Sequence, residues 1–527
     1  MELDKAREGM LVEPQNRWAN LRDCHELYVA GHFIEAGVAH FQATGKRALL
    51  DVVCRLADLI GKTFGPGPGQ TPGYCGHEEI ELALVKLARA TGVERYRELA
   101  AWFIDQRGQS PNYFEVEARR RGETGKLPWH MHHDGLATLQ AAQPVRELTE
   151  PVGHAVRMMY LLSAMLDLAL DRGDAARAAH CRTLWTAITT RHLYVTGGVG
   201  TEPYGEKFCE PFDLPPDRAY AETCAAIGVV MCARRMLDLE LHGGHADVME
   251  RALYNNVLAG LALDGRAYFY VNPLEVVPPV AKRRYECHLV KTQRVPWFGC
   301  ACCPPNVARL FASLGAYAYA QVADGLAVHL YAGGVAQFAA GAVPVRLHVT
   351  TEYPWKERVE LSIEPATPAE FTLHLRLPGW CRTPHLSVNG SPVKVEPVHG
   401  YVPLRRTWRT GDKVVLDLVY EARDIDQKLG NTDQIDQWFE AKTKGLNNWQ
   451  KDELKKQWGT MQNVLSSRAR MDRVVADIVF DFAVKPRLSN ERGNAILVAS
   501  SIYEACKYFA LFGKTVFKGR CAVVTSY

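Results

Sequence analysis

Three thiols fall within four residues, at Cys300, Cys302 and Cys303, and Pro304-Pro305 follows at once. Upstream, Glu222 and Cys224 stand two apart in Ala221-Glu222-Thr223-Cys224-Ala225-Ala226-Ile227-Gly228. A third segment, Tyr204-Gly205-Glu206-Lys207-Phe208, presents a second carboxylate beside a glycine. Clustered thiols in a long, reducing-compartment chain favour a metal or catalysis over disulfide bridges. Glu222, Cys224, Cys302 and Cys303 are four ligands of the types zinc accepts, in its usual tetrahedral number.

Geometry limits how these four can meet. On an α-helix Glu222 and Cys224 diverge by about 200°, since each residue turns about 100°. The spacing therefore predicts an extended stretch at both, with a helix starting just after them at Ala225. A residue before proline is pushed out of the α region, which predicts a loop for Cys302-Cys303. The remaining cysteines among the fourteen are scattered, and Cys54, Cys181 and Cys232 read as buried free thiols. The competing reading of Glu222 is a solvated acid at a helix start, where negative charge is favoured.

The elements that must hold these residues are helical over the first 320 residues or so. Leu27, Ala30, Ile34, Val38 and Phe41 recur at three- and four-residue spacing, which marks one apolar helix face. This pattern breaks at Ala43-Thr44-Gly45 and restarts at Arg47. The design repeats: helix from Glu79 to Ala90, break at Thr91-Gly92, helix from Glu94; then helix from Val156 to Leu170, break at Arg172-Gly173, helix from Asp174. Glycine just past a helix end closes it, and helix–turn–helix units in series predict a toroid of paired helices around a cavity. A plain bundle has the same periodicity. The period then becomes two: Val345, Leu347 and Val349; Val359, Leu361 and Ile363; Phe371, Leu373, Leu375 and Leu377. Asn389-Gly390 is a two-residue hairpin turn. An antiparallel β-sandwich is expected there.

The motifs Gly-Glu-x-Phe, Ala-Glu-Thr-Cys-Ala-Ala-Ile-Gly, Phe-Tyr-x-Asn-Pro-Leu-Glu (Phe269 to Glu275) and Cys-x-Cys-Cys-Pro-Pro-Asn together resemble the β-L-arabinofuranosidases of glycoside hydrolase family 127. Upstream, Ala30 to Ala36, Gly76 to Glu81 and Val152 to Arg157 resemble family segments as well, so the likeness runs in order over about residues 10–423. It implies an α plus β multidomain chain: an (α/α)6 barrel over 10–323, a β-sandwich over 324–423, and an unrelated mixed α/β tail over 424–527. It implies that Cys302 is the nucleophile and Glu206 the acid/base, and that Glu222, Cys224, Cys302 and Cys303 hold Zn2+. It further implies that His32, His77, His154 and Tyr270 bind the sugar hydroxyls. The activity expected is retaining hydrolysis of terminal β-L-arabinofuranosyl units. The chain departs from the family at Ala142, where histidine is usual, and at Leu148, where glutamine is usual.

From Asp424 the composition changes. Gln434 to Trp458 reads as amphipathic helix, and Val474 to Phe482 and Ala495 to Ser501 read as strands. Arg470-Met-Asp-Arg-Val-Val-Ala-Asp-Ile-Val and Ala495-Ile-Leu-Val-Ala-Ser-Ser-Ile-Tyr-Glu resemble the motor subunit of type I restriction enzymes, as a fused reading frame would. Gly513-Lys514-Thr515 is not a phosphate loop, because the glycine required five residues earlier is Tyr508.

With 62 basic and 59 acidic residues among 527, and a net charge of +3, the chain has no electrostatic case for nucleic acid or anionic membrane. Its N-terminus carries no basic region followed by an apolar run, and no stretch approaches a membrane span. A cytoplasmic enzyme acting on a glycoside or small oligosaccharide is expected, with a homodimer as an open possibility. Two rival classes stay open: a zinc-stabilised carbohydrate-binding protein, which needs no acid at Glu206, and a sugar epimerase on a helical toroid, which needs no thiol cluster.

Overall fold

The computed structural model describes residues 16–123, 134–419, 444–445, 451, 468–484, 497 and 502–522. The chain forms two compact units, Met1–Tyr420 and Glu421–Tyr527.

The first unit begins with helices joined in pairs. These are α1 (Glu26–Thr44) with α2 (Ala48–Thr63), α3 (Ile80–Thr91) with α4 (Glu94–Gln106), α6 (Ala155–Arg172) with α7 (Ala175–Ala187), and α8 (Thr223–Leu239) with α9 (Gly243–Ala252). A short α5 (Tyr113–Arg120) separates the second pair from the third. The turns lie where the glycine pattern predicts them. Gly45, Gly92 and Gly173 take left-handed φ of 70°, 72° and 61° and close α1, α3 and α6. Asp174 caps α7 by accepting the backbone N–H of Arg177.

The first helix of each pair packs on the first helix of the next: α1 on α3, α3 on α6, α6 on α8, and α8 on α11 (Cys303–Ala312). The second members lie behind their own partners. Of these inner helices α6 is the most enclosed, buried continuously from Ala155 to Ala169. Among the described residues this makes four pairs plus α11. No helix among them is long and apolar enough to cross a membrane.

Short helices α10 (Pro278–Ala281) and α12 (Gly315–Ala318) flank α11, and α12 runs directly into β1 (Tyr319–Val322). Among the described residues, ten strands make two sheets. One has the order β1, β2 (Gly325–Val328), β6 (Ala369–Arg376), β9 (Tyr401–Trp408). The other runs β3 (Gly334–Ala340), β4 (Val343–Thr351), β5 (Arg358–Pro365), β10 (Asp412–Leu418), β7 (Pro384–Val388), β8 (Ser391–Pro392). The alternating residues point inward: Val345, Leu347, Val349, Val359, Leu361, Ile363, Phe371 and Leu373 share one core with Trp408. Asn389 and Gly390 form the β7–β8 turn with φ of 51° and 80°. One pairing departs from the antiparallel expectation. β2 runs parallel to β6, because the chain leaves β2 to build three strands of the other sheet before returning.

In the second unit the described segments include helices Arg468–Val484 and Ile502–Phe512, which join through Met471, Val475, Tyr508 and Phe512. Val474 to Phe482 is thus helix, not strand. Met471, Val475, Ile478 and Val479 recur at four- and three-residue spacing, and that face outweighs the β-branched composition that suggests a strand. The expected helix Gln434 to Trp458 and strand Ala495 to Ser501 lie outside the described residues, apart from isolated positions.

Candidate active site

Glu222 sits at the N-cap of α8 with extended backbone (φ −57°, ψ 140°). The preceding stretch is stitched to the Phe-Tyr-x-Asn motif. Glu222 bridges Val271, Thr223 N–H donates to the Tyr270 carbonyl, and Asn272 donates its side-chain amide to the Ala221 carbonyl. Cys224 lies in the first turn of α8, so the helix starts two residues earlier than Ala225. The extended N-cap still turns Glu222 back toward the thiol. Cys302 and Cys303 are not in a loop either: Cys302 is the N-cap and Cys303 the first residue of α11. Proline is tolerated there because the first helical N–H groups have no partner to lose.

The four side chains meet. Cys224 Sγ is 3.6 Å from Cys303 Sγ, and Cys302 Sγ is 3.7 Å from Cys303 Sγ. Glu222 Oε1 lies 3.4 Å from Cys302 Sγ and 4.0 Å from Cys303 Sγ. All four ligand atoms fall within 4.8 Å of one another. The other oxygen, Glu222 Oε2, is buried and meets no hydrogen-bond partner in the structure. Burial pushes the Glu222, Cys224 and Cys303 pKa values well above their ordinary ranges, and the neighbouring thiols do the same to Cys302. Acids pushed toward their neutral forms in this way become anionic ligands when a cation compensates them.

Glu206 occupies a tight turn in which Glu202 bridges Lys207. Its φ is +53°, a left-handed conformation that costs a non-glycine residue about 1–3 kcal/mol. The strain is held by the start of α6: Ala155 N–H donates to the Glu206 carbonyl, and Phe208 N–H donates to that of Gly153. The carboxylate takes two hydrogen bonds. Tyr220 O–H donates to Oε1 at 2.7 Å, and His154 Nε2 lies 2.7 Å from Oε2. His154 Nδ1 accepts the Val156 N–H, so its ring hydrogen is on Nε2. Burial raises the Glu206 pKa, but the bonds from His154 and Tyr220 and the nearby Arg157 charge more than offset this, leaving it below the ordinary value. Burial also lowers the pKa of His154, which stays neutral. Glu206, His154 and Glu222 place ligand atoms within 4.8 Å of one another, so Glu222 belongs to both clusters.

Tyr270 Oη is 3.4 Å from Cys302 Sγ. His77 and His154 rings stand 5.6 Å apart, and Tyr28 is 4.4 Å from both His77 and His32. Burial and the Arg309 charge bring the His32 pKa down to about 4, and burial, helped by Arg157, His154 and His25, lowers that of His77 well below the usual range. The expected site residues are linked through near neighbours: His32 and His77 through Tyr28, His77 to His154, His154 to Glu206, Glu206 to Glu222, and Tyr270 to Cys302. Of the two departures, Ala142 is exposed and Leu148 is buried in the helical core. Cys181 and Cys232 are buried thiols as expected, while Cys54 is half-buried.

Sequence reasoning missed Tyr220, Arg309 and Tyr160. Tyr220 precedes Glu222 by two on an extended stretch, so period-two spacing placed them on one side. Arg309 is one turn beyond Asn306 on α11. Its guanidinium donates to Glu35 (2.5 Å), Glu79 (2.8 Å), Tyr160 Oη (2.8 Å) and Asn306 (2.8 Å). It ties the cysteine helix to α1, α3 and α6, partners that no single-helix pattern contains.

Comparison with known proteins bears on the first unit. The family model described as Beta-L-arabinofuranosidase, GH127 catalytic domain, matches residues 5–316, and that of the GH127 middle domain matches residues 325–420. The non-reducing end β-L-arabinofuranosidase of Bifidobacterium longum is 39% identical over 398 residues, covering 74% of this chain. This chain spans 59% of that relative's length. A solved GH127 β-L-arabinofuranosidase from Geobacillus stearothermophilus T6 is 51% identical, with a TM-score of 0.75 over 78% of this chain and 64% of that one. A solved GH127 β-arabinofuranosidase is 36% identical, with a TM-score of 0.66 over 76% and 61% of the two chains. The restriction-enzyme likeness of the tail finds no support among these relatives.

Proposed function

Since this chain belongs to the GH127 β-L-arabinofuranosidase family, we propose that it is a retaining glycoside hydrolase releasing terminal β-L-arabinofuranosyl units, with Cys302 as nucleophile and Glu206 as acid/base. The observation that carries this reading is the shared Glu222, which puts a thiol cluster and a hydrogen-bonded carboxylate at one point. Most retaining glycosidases bring two carboxylates together in this way; here a thiolate replaces the nucleophilic one. The toroid is read as six helix pairs, as the family likeness implies.

Glu222, Cys224, Cys302 and Cys303 suit Zn2+ by donor type and number, and the partnerless Glu222 Oε2 and the protonated thiols fit a cation between them. When bound, zinc supplies the charge that holds these thiols deprotonated at neutral pH. The chain's own groups do the rest. Cys302 Sγ forms a bond to the anomeric carbon as the bond to the leaving oxygen breaks, and Glu206 gives that oxygen its proton. Water then adds to the same carbon, Glu206 takes its proton, and the C–S bond breaks, with net retention. His154 and Tyr220 favour the ionised carboxylate, which suits the water-activating half. A bound leaving group excludes water and raises the Glu206 pKa for the protonating half. His32, His77, His154 and Tyr270 orient the sugar hydroxyls.

Release of arabinose from an aryl β-L-arabinofuranoside tests the reading, with metal content measured on the same protein. A zinc-loaded chain that frees no arabinose is the carbohydrate-binding protein of the rival reading, and the hydrolase reading is then wrong.

A further inference from the structure

A cavity of about 520 Å³ lies outside the site already described, lined by Lys282, Arg283, Arg284, Tyr285, His288 and Lys291, with no acidic side chain among its lining residues. The acids close by are Asp217, which pairs with Arg284 at 3.4 Å, and Glu286, which faces a neighbouring cleft. Arg283 donates to the Pro279 carbonyl and Lys291 to that of His288, both bonds to neutral oxygen that leave the charges uncompensated. Lys282 meets no carboxylate among the described residues.

The cavity is joined to the acid/base. Tyr285 is 66% exposed and stacks on Tyr204 with centroids 6.0 Å apart and planes at 26°. His288 stacks next to Tyr285 at 5.2 Å and 19°. Tyr204 precedes Glu206 by two residues, at most about 7 Å of backbone. The adjoining cleft is walled by Cys287 and Val290 from this segment and by Tyr220, the donor to Glu206. The basic pocket therefore adjoins the Glu206 turn.

We infer that this cavity is a leaving-group subsite for an anionic aglycone, a sugar bearing a carboxylate or a sulfate whose ring faces Tyr285 while its charge meets Lys282 and Lys291. The inference rests on the hydrolase reading for its place in the reaction, though not for binding itself. Flat sugar faces and aromatic rings pack well, and unopposed surface cations steer and hold anions in a salt-dependent way.

The test compares β-L-arabinofuranosyl units linked to galactose, to galacturonic acid and to galactose 6-sulfate, whose leaving alcohols are chemically matched. The anionic pair should show kcat/KM about tenfold above the neutral substrate at low salt, with the advantage falling toward unity near 0.5 M salt. In the double variant Lys282→Ala, Lys291→Ala the advantage should vanish while the neutral substrate is unaffected. An advantage confined to galacturonic acid assigns the subsite to carboxylates; one shared by the sulfate assigns it to anions generally. Calorimetric binding of the three free monosaccharides reads the subsite without turnover. If no substrate is cleaved but galacturonate binds to the wild type and not to the double variant, the hydrolase reading falls and the subsite stands. Equal handling of neutral and anionic sugars in both assays, or a preference retained by the double variant, overturns the proposal.

Discussion

At the scale of single residues the site divides its labour by environment. Cys302 and Glu206 lie close together, yet their neighbours push them opposite ways: surrounding thiols raise the first and two hydrogen-bond donors lower the second. Cys302→Ser should abolish turnover while circular dichroism still reports a folded chain; an active variant would end its role as nucleophile. Glu206→Gln should slow poor leaving groups far more than activated aryl glycosides, and equal losses would mean that another group gives the proton. Tyr220→Phe removes a bond to the ionised carboxylate, so the Glu206 pKa should rise and the alkaline limb of kcat/KM should move to higher pH. The histidines carry a linkage to stability. The His32 pKa falls from an ordinary 6.5 to about 4, and that of His77 is also lowered well below its ordinary value. Between those values the unfolded chain binds more protons than the folded one. This stability is complete above about pH 6.5 and is lost as pH falls toward 4. The melting temperature should drop across that window, and less steeply in His77→Gln.

At the scale of elements, packing determines what the side chains can reach. A Cβ on Gly228 of α8 would lie 2.5 Å from Met159 Cβ on α6, and one on Gly31 of α1 would lie 2.9 Å from the Glu79 backbone. Gly228→Ala should therefore cost about 1–3 kcal/mol by overpacking, read as a lower midpoint in urea with unchanged slope. Helix pairs and their glycine stops were legible because 3.6-residue periodicity and left-handed C′ positions are local properties. The sheet strands were legible for the same reason. What a single sequence hides is non-local. The β2–β6 parallel pairing depends on a connection through three strands. The helical placement of Cys224 and Cys303 depends on first-turn N–H groups that need no partner. Arg309 gains its meaning from α1, α3 and α6, distant in sequence. Val474 to Phe482 was misread because β-branched residues obscured a helical face that its partner Ile502–Phe512 completes.

At the scale of the whole molecule, the family likeness covers the helical and sandwich regions, while the chain reaches only 59% of the length of its curated relative. The thiol cluster is the natural point to probe how the first unit is held together, since its ligands come from α8 and α11, separated by some eighty residues. If the four ligands hold zinc as proposed, a chelator should lower the melting temperature and raise cysteine reactivity toward thiol reagents, and zinc addition should reverse both. A chelator that changes neither would argue that the four ligands hold no ion.

The first turn of α6 uses the Nδ1 lone pair of His154, and that use decides which ring nitrogen carries hydrogen. If that single turn frays, the imidazole is released to swap tautomers, and Glu206 loses a donor before any cysteine is displaced. Opening of that turn would thus cost the carboxylate its donor without moving a thiol, and the nitrogen chemical shifts of the His154 imidazole would report it.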